Sequence, residues 1–213
     1  MGTNPVNNFW EERFREEGKI WGDTPSRSVA CAIGLFNKNG VGSVLVPGSG
    51  YGRNAESFAR AGFEVTGIEI SESAVTLARQ NTSDVRYYHG SVLDMPIDDS
   101  TYDGIYCFNV LHLFRKNDRM TFLQRCREQL NDGGVMFFVV FSDKEPSYGK
   151  GRMVEENTFE SKPGREVHYY SPEDLAMEFR ELEVLAAGMI EDPEEHGAEG
   201  RHIHLLRYIC VRN

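Results

Sequence analysis

Short apolar runs alternate with amphipathic segments from about residue 43 onward. The apolar runs predict five strands, at residues 43–46, 63–70, 85–89, 102–110 and 135–141. The 3.6-residue spacing of apolar positions predicts helices between them, at residues 54–61, 71–80 and 118–130. Since strands and helices alternate, we expect an α/β fold with a parallel sheet and helices on both faces.

This alternation stops after Ser142. Residues 142–170 are polar and interrupted by Gly and Pro, which predicts an irregular insertion that acts as a lid or binding loop. A helix is predicted to follow at Ser171, and then two strands at 182–190 and 202–211. The acidic loop between these strands is too short for a crossover helix, so we expect an antiparallel last strand. No repeat or linker divides the chain, which indicates a single domain over 1–213.

The overall charge argues against several classes of partner. The 213 residues carry a formal net charge of −10, so neither a nucleic acid nor an anionic membrane surface is an expected partner. The first residues lack the basic and apolar regions of a signal peptide. No CxxC pair occurs among the four cysteines, which predicts no metal and buried thiols in a reducing, cytoplasmic compartment.

A glycine-rich turn follows the first strand, in Val46-Pro47-Gly48-Ser49-Gly50-Tyr51-Gly52. Such a turn lets a ligand approach the backbone amides and the start of the next helix. Glu69 ends the second strand, where a carboxylate is placed to hold both hydroxyls of a ribose. Together the two features predict a nucleoside-binding site.

The spacing of the glycines restricts which nucleoside is bound. Glycines stand at 48, 50 and 52, while Arg53 occupies the position where a dinucleotide fingerprint has its third glycine. This opposes an NAD-linked oxidoreductase. No Gly-Lys-Ser/Thr follows, so a P-loop is excluded.

The GxGxG turn with an acid at the end of the next strand resembles the class I S-adenosylmethionine-dependent methyltransferases. The likeness continues in the same order through residues 89–97, 100–105 and 130–134, which resemble that family's adenine segment, fourth-strand entry and turn before strand five. The resemblance implies a Rossmann-like fold: a seven-stranded, mostly parallel sheet with an antiparallel last strand. It also implies S-adenosylmethionine as cofactor and S-adenosylhomocysteine as product.

Two positions depart from the common pattern, and the first of them indicates one branch of the family. Pro47 stands where most members have an acid, and Ser91 where most have Asp. The Pro-Gly-x-Gly form resembles the thiopurine and tellurite-resistance methyltransferases, which act on small, soft nucleophiles. The aromatic opening at residues 9–25 is similar to the N-terminal segment of that branch, which implies that residues 1–30 cap the cofactor site.

The resemblance also assigns the residues expected around the cofactor. Gly48, Ser49 and Gly50 are expected at the methionine portion, Glu69 at the ribose and Asn109 near the sulfonium. The complete predicted set is Trp10, Trp21, Pro47, Gly48, Ser49, Gly50, Tyr51, Glu69, Ile70, Ser91, Val92 and Asn109.

Candidate catalytic residues depend on the acceptor. For a hydroxyl or amine acceptor, His112 is the candidate base, with a packing role for this residue left open. A thiol ionises by itself and needs no strong base. Arg201, or an arginine of the insertion, is expected to hold an anionic acceptor. His202 and His204 share one strand face near His196, but we expect no metal there.

The chain lacks two motifs that methyltransferases for particular acceptors carry, which restricts the class of methyl acceptor further. The segment after strand four is Asn109-Val110-Leu111-His112, not the Asn/Asp-Pro-Pro-aromatic motif of family members that methylate amino groups of bases or glutamine. No Pro-Cys dipeptide occurs, which members that methylate cytosine at C5 need as nucleophile. We therefore expect a methyltransferase for a small molecule, for instance a thiol or chalcogen compound, that acts as a monomer or homodimer. The alternative is a catalytically silent S-adenosylmethionine-binding module or sensor, which Pro47 and Ser91 favour.

Overall fold

A computed structural model describes residues 5–81, 83–96, 98–195 and 200–213. Its helices are α1 (Pro5–Glu17), α2 (Arg27–Lys38), α3 (Ala55–Arg60), α4 (Glu72–Asn81), α5 (Lys116–Glu128) and α6 (Pro172–Glu178), with short 3-10 helices at Val92–Asp94 and Leu111–Leu113. The strands are β1 (Ser43–Pro47), β2 (Glu64–Glu69), β3 (Val85–His89), β4 (Tyr102–Phe108), β5 (Leu130–Phe141), β6 (Arg152–Glu155), β7 (Thr158–Lys162), β8 (Arg165–His168), β9 (Glu183–Glu195) and β10 (Arg201–Arg212). None of the helices within these ranges is long and apolar enough to cross a bilayer.

Seven strands form one sheet in the order β3-β2-β1-β4-β5-β10-β9. The first five strands in this order are parallel to one another, whereas β10 runs antiparallel to both β5 and β9. This confirms the predicted mostly parallel sheet with an antiparallel last strand. The strand order reverses between β1 and β4, and ligands of open α/β sheets bind at the carboxyl ends of the strands at such a point.

The core lies on both faces of this sheet. On one face Phe36 of α2 and Phe58 of α3 belong to the same buried cluster as Phe137 of β5. On the other face Phe122 of α5 packs against Phe138, the next residue of β5. Because successive strand residues point to opposite faces, β5 is apolar at every position from Val135 to Phe141, as predicted.

Helix α2 is an element that the apolar pattern did not predict. Its N-cap is Ser26, whose side chain accepts a hydrogen bond from the Ser28 amide, so the polar start of the helix resembles a loop in the sequence. Val29, Ala32 and Phe36 nevertheless form a buried face against the sheet. The segment that lies over the sheet edge therefore ends at Ser26, and residues 27–30 of the predicted cap form the first turn of α2, where Ser28 and Val29 are buried.

The insertion is more regular than expected. Strands β6, β7 and β8 form a separate antiparallel sheet, joined by a turn at Asn157 (φ 54°) and another at Gly164 (φ 76°). The prediction of an irregular segment is wrong here, because these short strands carry charged residues that obscure their alternation. A parallel bridge between Ser142 and Tyr170 fixes both ends of the insertion beside the main sheet.

His168 of β8 gives the fold a predicted pH dependence. The ring is buried, and its Nδ1 lies 2.8 Å from the Thr158 hydroxyl. Burial is the main cause that lowers the pKa of His168 from 6.5 to about 4. Between pH 6.5 and about pH 4 the unfolded chain binds this proton more tightly than the folded chain. The folded state therefore loses stability as the pH falls through this range.

We expect this histidine alone to lower the free energy of unfolding by about 2 kcal/mol between about pH 7 and pH 5. Urea denaturation at both pH values measures it, with His168→Gln as the matched variant. A His168→Gln protein with the same pH dependence as the parent would contradict the assignment.

Candidate functional site

A cleft of about 550 Å³ lies at the carboxyl ends of β1, β2 and β4. The glycine turn and the residues after β2 and β4 form its floor. Helix α1, with the loop that follows it, and the insertion form its walls. All predicted cofactor residues except Pro47 line this cleft: Trp10, Trp21, Gly48, Ser49, Gly50, Tyr51, Glu69, Ile70, Ser91, Val92 and Asn109.

Close packing explains the glycines of the turn. Gly48 has φ +66°, and a Cβ built on it would lie 2.2 Å from a methyl group of Val110. The amides of Gly48 and Ser49 both donate to the Ile68 carbonyl, at 2.8 and 3.0 Å. These two amides are therefore satisfied within the protein, so what the turn offers a ligand is the close approach of bare backbone.

Glu69 is the buried acid of the floor. Its Oε2 accepts from the Gly50 amide at 2.9 Å, and its Oε1 accepts from the Ser71 amide at 3.0 Å. Burial raises the pKa of Glu69, while these backbone donors oppose the rise. Each carboxylate oxygen has a second acceptor position, so the group can still bind two hydroxyls. The arrangement fits the vicinal diol of a ribose.

Two further acceptors of the floor are buried without a hydrogen-bond partner in the described part of the chain. They are the Asn109 side-chain oxygen and the Ser49 hydroxyl. Asn109 also holds a left-handed backbone conformation, with φ 58°. A buried unpaired polar atom costs about 1–3 kcal/mol, so these atoms suit a polar ligand that supplies donors. This observation supports the fit of an S-adenosyl group to the cleft.

The residues that follow β2 and β3 form another part of the cleft floor. Ser91 accepts a hydrogen bond from the Leu93 amide at 3.2 Å and so caps the 3-10 helix Val92–Asp94. Its hydroxyl hydrogen remains available as a donor. Ile70 and Val92 supply apolar surface beside it. This part of the cleft has the mixed character that an adenine ring requires.

Aromatic side chains close the cleft on the α1 side. Trp10 and Trp21 lie 6.1 Å apart between ring centroids, and Trp21 stacks on Tyr51 at 6.2 Å. The Tyr51 hydroxyl donates to the Gly22 carbonyl and accepts from the Trp21 amide. Burial raises the pKa of Tyr51 to about 12. The glycine turn thus binds the N-terminal segment directly.

Arg53 and Glu194 form a buried ion pair that sequence reasoning missed. Arg53 also donates to the carbonyls of Trp21 and Thr24, and its guanidinium lies 5.6 Å from the Trp21 ring centroid. Glu194 belongs to β9, although the sequence predicted a solvated loop there. The sequence signal for this ion pair was the arginine at position 53 in place of glycine, because an arginine beside a glycine turn needs an anionic partner.

His112 lines the cleft but is unsuited to act as a base. Its Nδ1 accepts a hydrogen bond from the Phe141 amide at 3.2 Å, so the neutral ring carries its proton on Nε2. Burial, followed by the charge of nearby Arg165, holds the pKa of His112 well below its usual value. Protonation of the neutral ring is therefore unfavourable. His112 is suited to donate a hydrogen bond through Nε2, and not to accept a proton as the predicted base.

Two predicted site residues lie outside the cleft lining. Pro47 is buried in β1, where it pairs with Ile68, so its side chain packs in the sheet. Arg201 is exposed at the start of β10, opposite Glu195. The prediction that Arg201 holds an acceptor is therefore wrong, because it lies on the sheet's outer strands and not at the tip of β4.

The insertion supplies basic residues to the cleft instead. Arg165 of β8 lines it, as do the exposed Lys150 and Lys162. Sequence reasoning named an arginine of the insertion without selecting one. Arg165 is the member of that group that the fold turns inward.

Comparison with known proteins finds similarity to methyltransferases. A family model described as a methyltransferase domain matches residues 45–138. A probable S-adenosylmethionine-dependent methyltransferase from Mycolicibacterium smegmatis is 29% identical over 120 residues, which are 56% of this chain and 45% of that protein. A ubiquinone biosynthesis O-methyltransferase from Vibrio cholerae is 30% identical over 122 residues, 55% of this chain and 47% of that protein. The chain spans about half the length of these relatives.

A solved structure has the same fold over the whole chain. The 1,6-didemethyltoxoflavin-N1-methyltransferase of Burkholderia thailandensis, solved with its substrate and S-adenosylhomocysteine, aligns with a TM-score of 0.72 and 18% identity. The alignment covers 100% of this chain and 91% of that one. The chain is thus similar to S-adenosylmethionine-dependent methyltransferases in the sequence around residues 45–138 and in its fold.

Proposed function

We propose that this protein transfers the methyl group of S-adenosylmethionine to a small-molecule acceptor. The observation that carries the proposal is Glu69, a buried carboxylate at the carboxyl end of β2 whose two oxygens keep acceptor positions beside the glycine turn. The acceptor lies over the end of β4, between Asn109 and the insertion. When bound, the cofactor supplies an already activated methyl group for in-line displacement.

The protein's own contribution is alignment and exclusion of water. Glu69 holds the ribose, the glycine turn allows the methionine portion to approach the backbone, and Asn109 faces the sulfonium. Trp10 and Trp21 cover this part of the cleft, where aromatic faces favour a cationic centre. Fixing two reacting groups in line removes much of the entropic barrier of a bimolecular step.

The hydrogen bonding of His112 supports a soft nucleophile as the methyl acceptor. With Nδ1 engaged by the Phe141 amide, His112 offers a donor and no base. A thiol has a pKa of about 8.5 and supplies some of the strongly nucleophilic thiolate near neutral pH without a base, and a selenol is more acidic still. We therefore propose that the protein belongs to the thiopurine and tellurite-resistance branch, whose glycine turn Pro47-Gly48-Ser49-Gly50 resembles.

The size of the cleft supports a small acceptor. Its volume of about 550 Å³ falls within the usual range for small-molecule sites. The segment before Ser26 and the insertion both line it, and we propose that they close over the bound ligands. The related proteins named above also act, by their names, in small-molecule pathways.

The remaining properties of the protein are proposed from its composition. Its four cysteines are free thiols, three of them buried, as suits a reducing compartment. We propose a cytoplasmic enzyme that acts as a monomer or homodimer and needs neither a nucleic acid nor a membrane. The acidic net charge supports the last two points.

A scan of acceptors tests the proposed reaction. The protein is incubated with S-adenosylmethionine and a thiol, a chalcogen oxyanion, a phenol or an amine, and S-adenosylhomocysteine is measured. We expect turnover with the thiol or the chalcogen compound. Turnover with the phenol or the amine alone would contradict a soft acceptor. Binding of S-adenosylmethionine without turnover of any class would favour the silent binding module.

A further inference from the structure

Arg165 is a partly buried cation that makes no hydrogen bond or ion pair with the described residues. Its side chain lines the cleft, and its Nε is buried with no hydrogen bond. In the described ranges no carboxylate or carbonyl accepts from this guanidinium. Burial lowers the pKa of Arg165 and the charge of Arg13 adds to the effect, while electrostatic interaction with Tyr169 and Glu194 only partly opposes it. A charge that is withdrawn from water without a hydrogen-bonded partner costs stability. We therefore expect a bound anionic ligand to supply the partner of Arg165.

Three carboxylates around the cleft are already engaged elsewhere. Glu166 accepts from Arg115 through both oxygens, and Glu194 pairs with Arg53. Glu145 accepts from the Leu205 amide at 2.6 Å and lies 2.9 Å from His204. Each of these anions has its own hydrogen-bonded partner, and Glu194 acts on Arg165 only through its charge. The hydrogen-bond donors of Arg165 are therefore left for an anion that the described residues do not supply.

Arg165 lies on the acceptor side of the cleft. Strand β8 packs against the 3-10 helix Leu111–Leu113, directly after the end of β4. Its charge is close enough to His112 to lower the pKa of that ring. Glu69 and Ser91 lie on the other side of β1, towards β2 and β3. The ribose and adenine positions are thus separated from Arg165 by the sheet order.

We propose that the methyl acceptor carries a carboxylate or another oxyanion, and that Arg165 binds this group while the Nε2–H of His112 donates to it. This inference rests on the proposed methyltransferase function. A planar guanidinium matches an oxyanion through two parallel hydrogen bonds, which a lysine ammonium does not reproduce. The acceptor thus neutralises Arg165 as it binds, and its orientation over the end of β4 is fixed.

Benzoate binding tests the site without any turnover. Trp10 and Trp21 are the two tryptophans of the chain and both line the cleft, so their fluorescence reports binding. Protein saturated with S-adenosylhomocysteine is titrated with benzoate. We expect saturable binding that weakens at least about tenfold in Arg165→Gln and less in Arg165→Lys. Arg152→Gln, an exposed arginine of the same insertion, should bind as the parent does.

Thermal unfolding of the free variants checks that they are folded. Because Arg165 has no hydrogen-bonded partner among the described residues, Arg165→Gln should melt no lower than the parent. Equal benzoate affinity in the parent and Arg165→Gln would overturn the proposal, as would the absence of saturable binding in the parent.

The turnover of a matched pair of acceptors adds a second readout. 4-Mercaptobenzoate and 4-methylbenzenethiol share a ring and a thiol and differ in the carboxylate. The parent should prefer the first by at least about tenfold, and Arg165→Gln should lose that preference. No preference in the parent would overturn the inference.

The affinity for S-adenosylhomocysteine separates this inference from the proposed function. It should be unchanged in Arg165→Gln. A marked loss would show that Arg165 holds the cofactor's own carboxylate, which overturns the acceptor assignment and leaves the methyltransferase function standing. If the parent does not bind S-adenosylhomocysteine at all, the proposed function fails, whereas benzoate titration of the free protein still reports on the anion site.

Discussion

Substitution of Glu69 by alanine should weaken S-adenosylhomocysteine binding by about 2–3 kcal/mol, or about 30- to 150-fold. The buried carboxylate accepts from the amides of Gly50 and Ser71 and has acceptor positions left for two ribose hydroxyls. Its removal leaves these donors unpaired in a site from which water is excluded. Titration calorimetry measures the effect.

Glu64→Ala is the matched control, because Glu64 begins the same strand β2 and is exposed. It should bind S-adenosylhomocysteine as the parent does. Glu69→Gln keeps one oxygen acceptor and should lose less affinity than Glu69→Ala. Unchanged affinity in Glu69→Ala would remove the ribose assignment and much of the nucleoside argument with it.

Deletion of residues 1–25 should leave a folded domain that binds the cofactor weakly and transfers little methyl. Phe14, Ile20 and Tyr51 form an aromatic and apolar cluster apart from the two main cores. Ser26 stays in place to cap α2, and its amide still donates to Asn54. What is lost is the wall of Trp10 and Trp21 over the cleft, and with it the exclusion of water.

Circular dichroism and cofactor titration of the truncated chain check this expectation. The double variant Trp10→Ala, Trp21→Ala in the full chain is the companion, because it removes the wall and keeps the backbone of the segment. An insoluble or molten truncation would show that the segment is core. Full activity of a folded truncation would exclude both roles.

The sheet could be predicted because its strands carry strong local signals. Strand β5 is apolar from Val135 to Phe141, and the glycine turn with Glu69 fixes which strand ends meet. The positive φ values of Gly48 and Gly50 explain why no other residue serves at these positions. Eleven of the twelve predicted cofactor residues lie in one cleft, since the carboxyl ends of parallel strands meet at one edge.

The parts that escaped prediction depend on contacts between distant segments. Glu194 reads as part of a solvated acidic loop until Arg53 is brought against it by the pairing of β9 with β10. The choice of Arg165 over Arg201 is likewise set by the small sheet of the insertion, whose charged strands show little hydrophobic pattern. The assignment of a base to His112 failed because the Phe141 amide that fixes its tautomer comes from another strand.

Thermal unfolding with S-adenosylhomocysteine and with NAD tests the central claim most directly. The cleft at the glycine turn is proposed to bind an S-adenosyl group, and binding at about 100 times the dissociation constant adds roughly 2.7 kcal/mol to the stability of the folded state. We predict a clear rise of the melting temperature with S-adenosylhomocysteine and none with NAD. A rise with NAD alone would contradict the methyltransferase account.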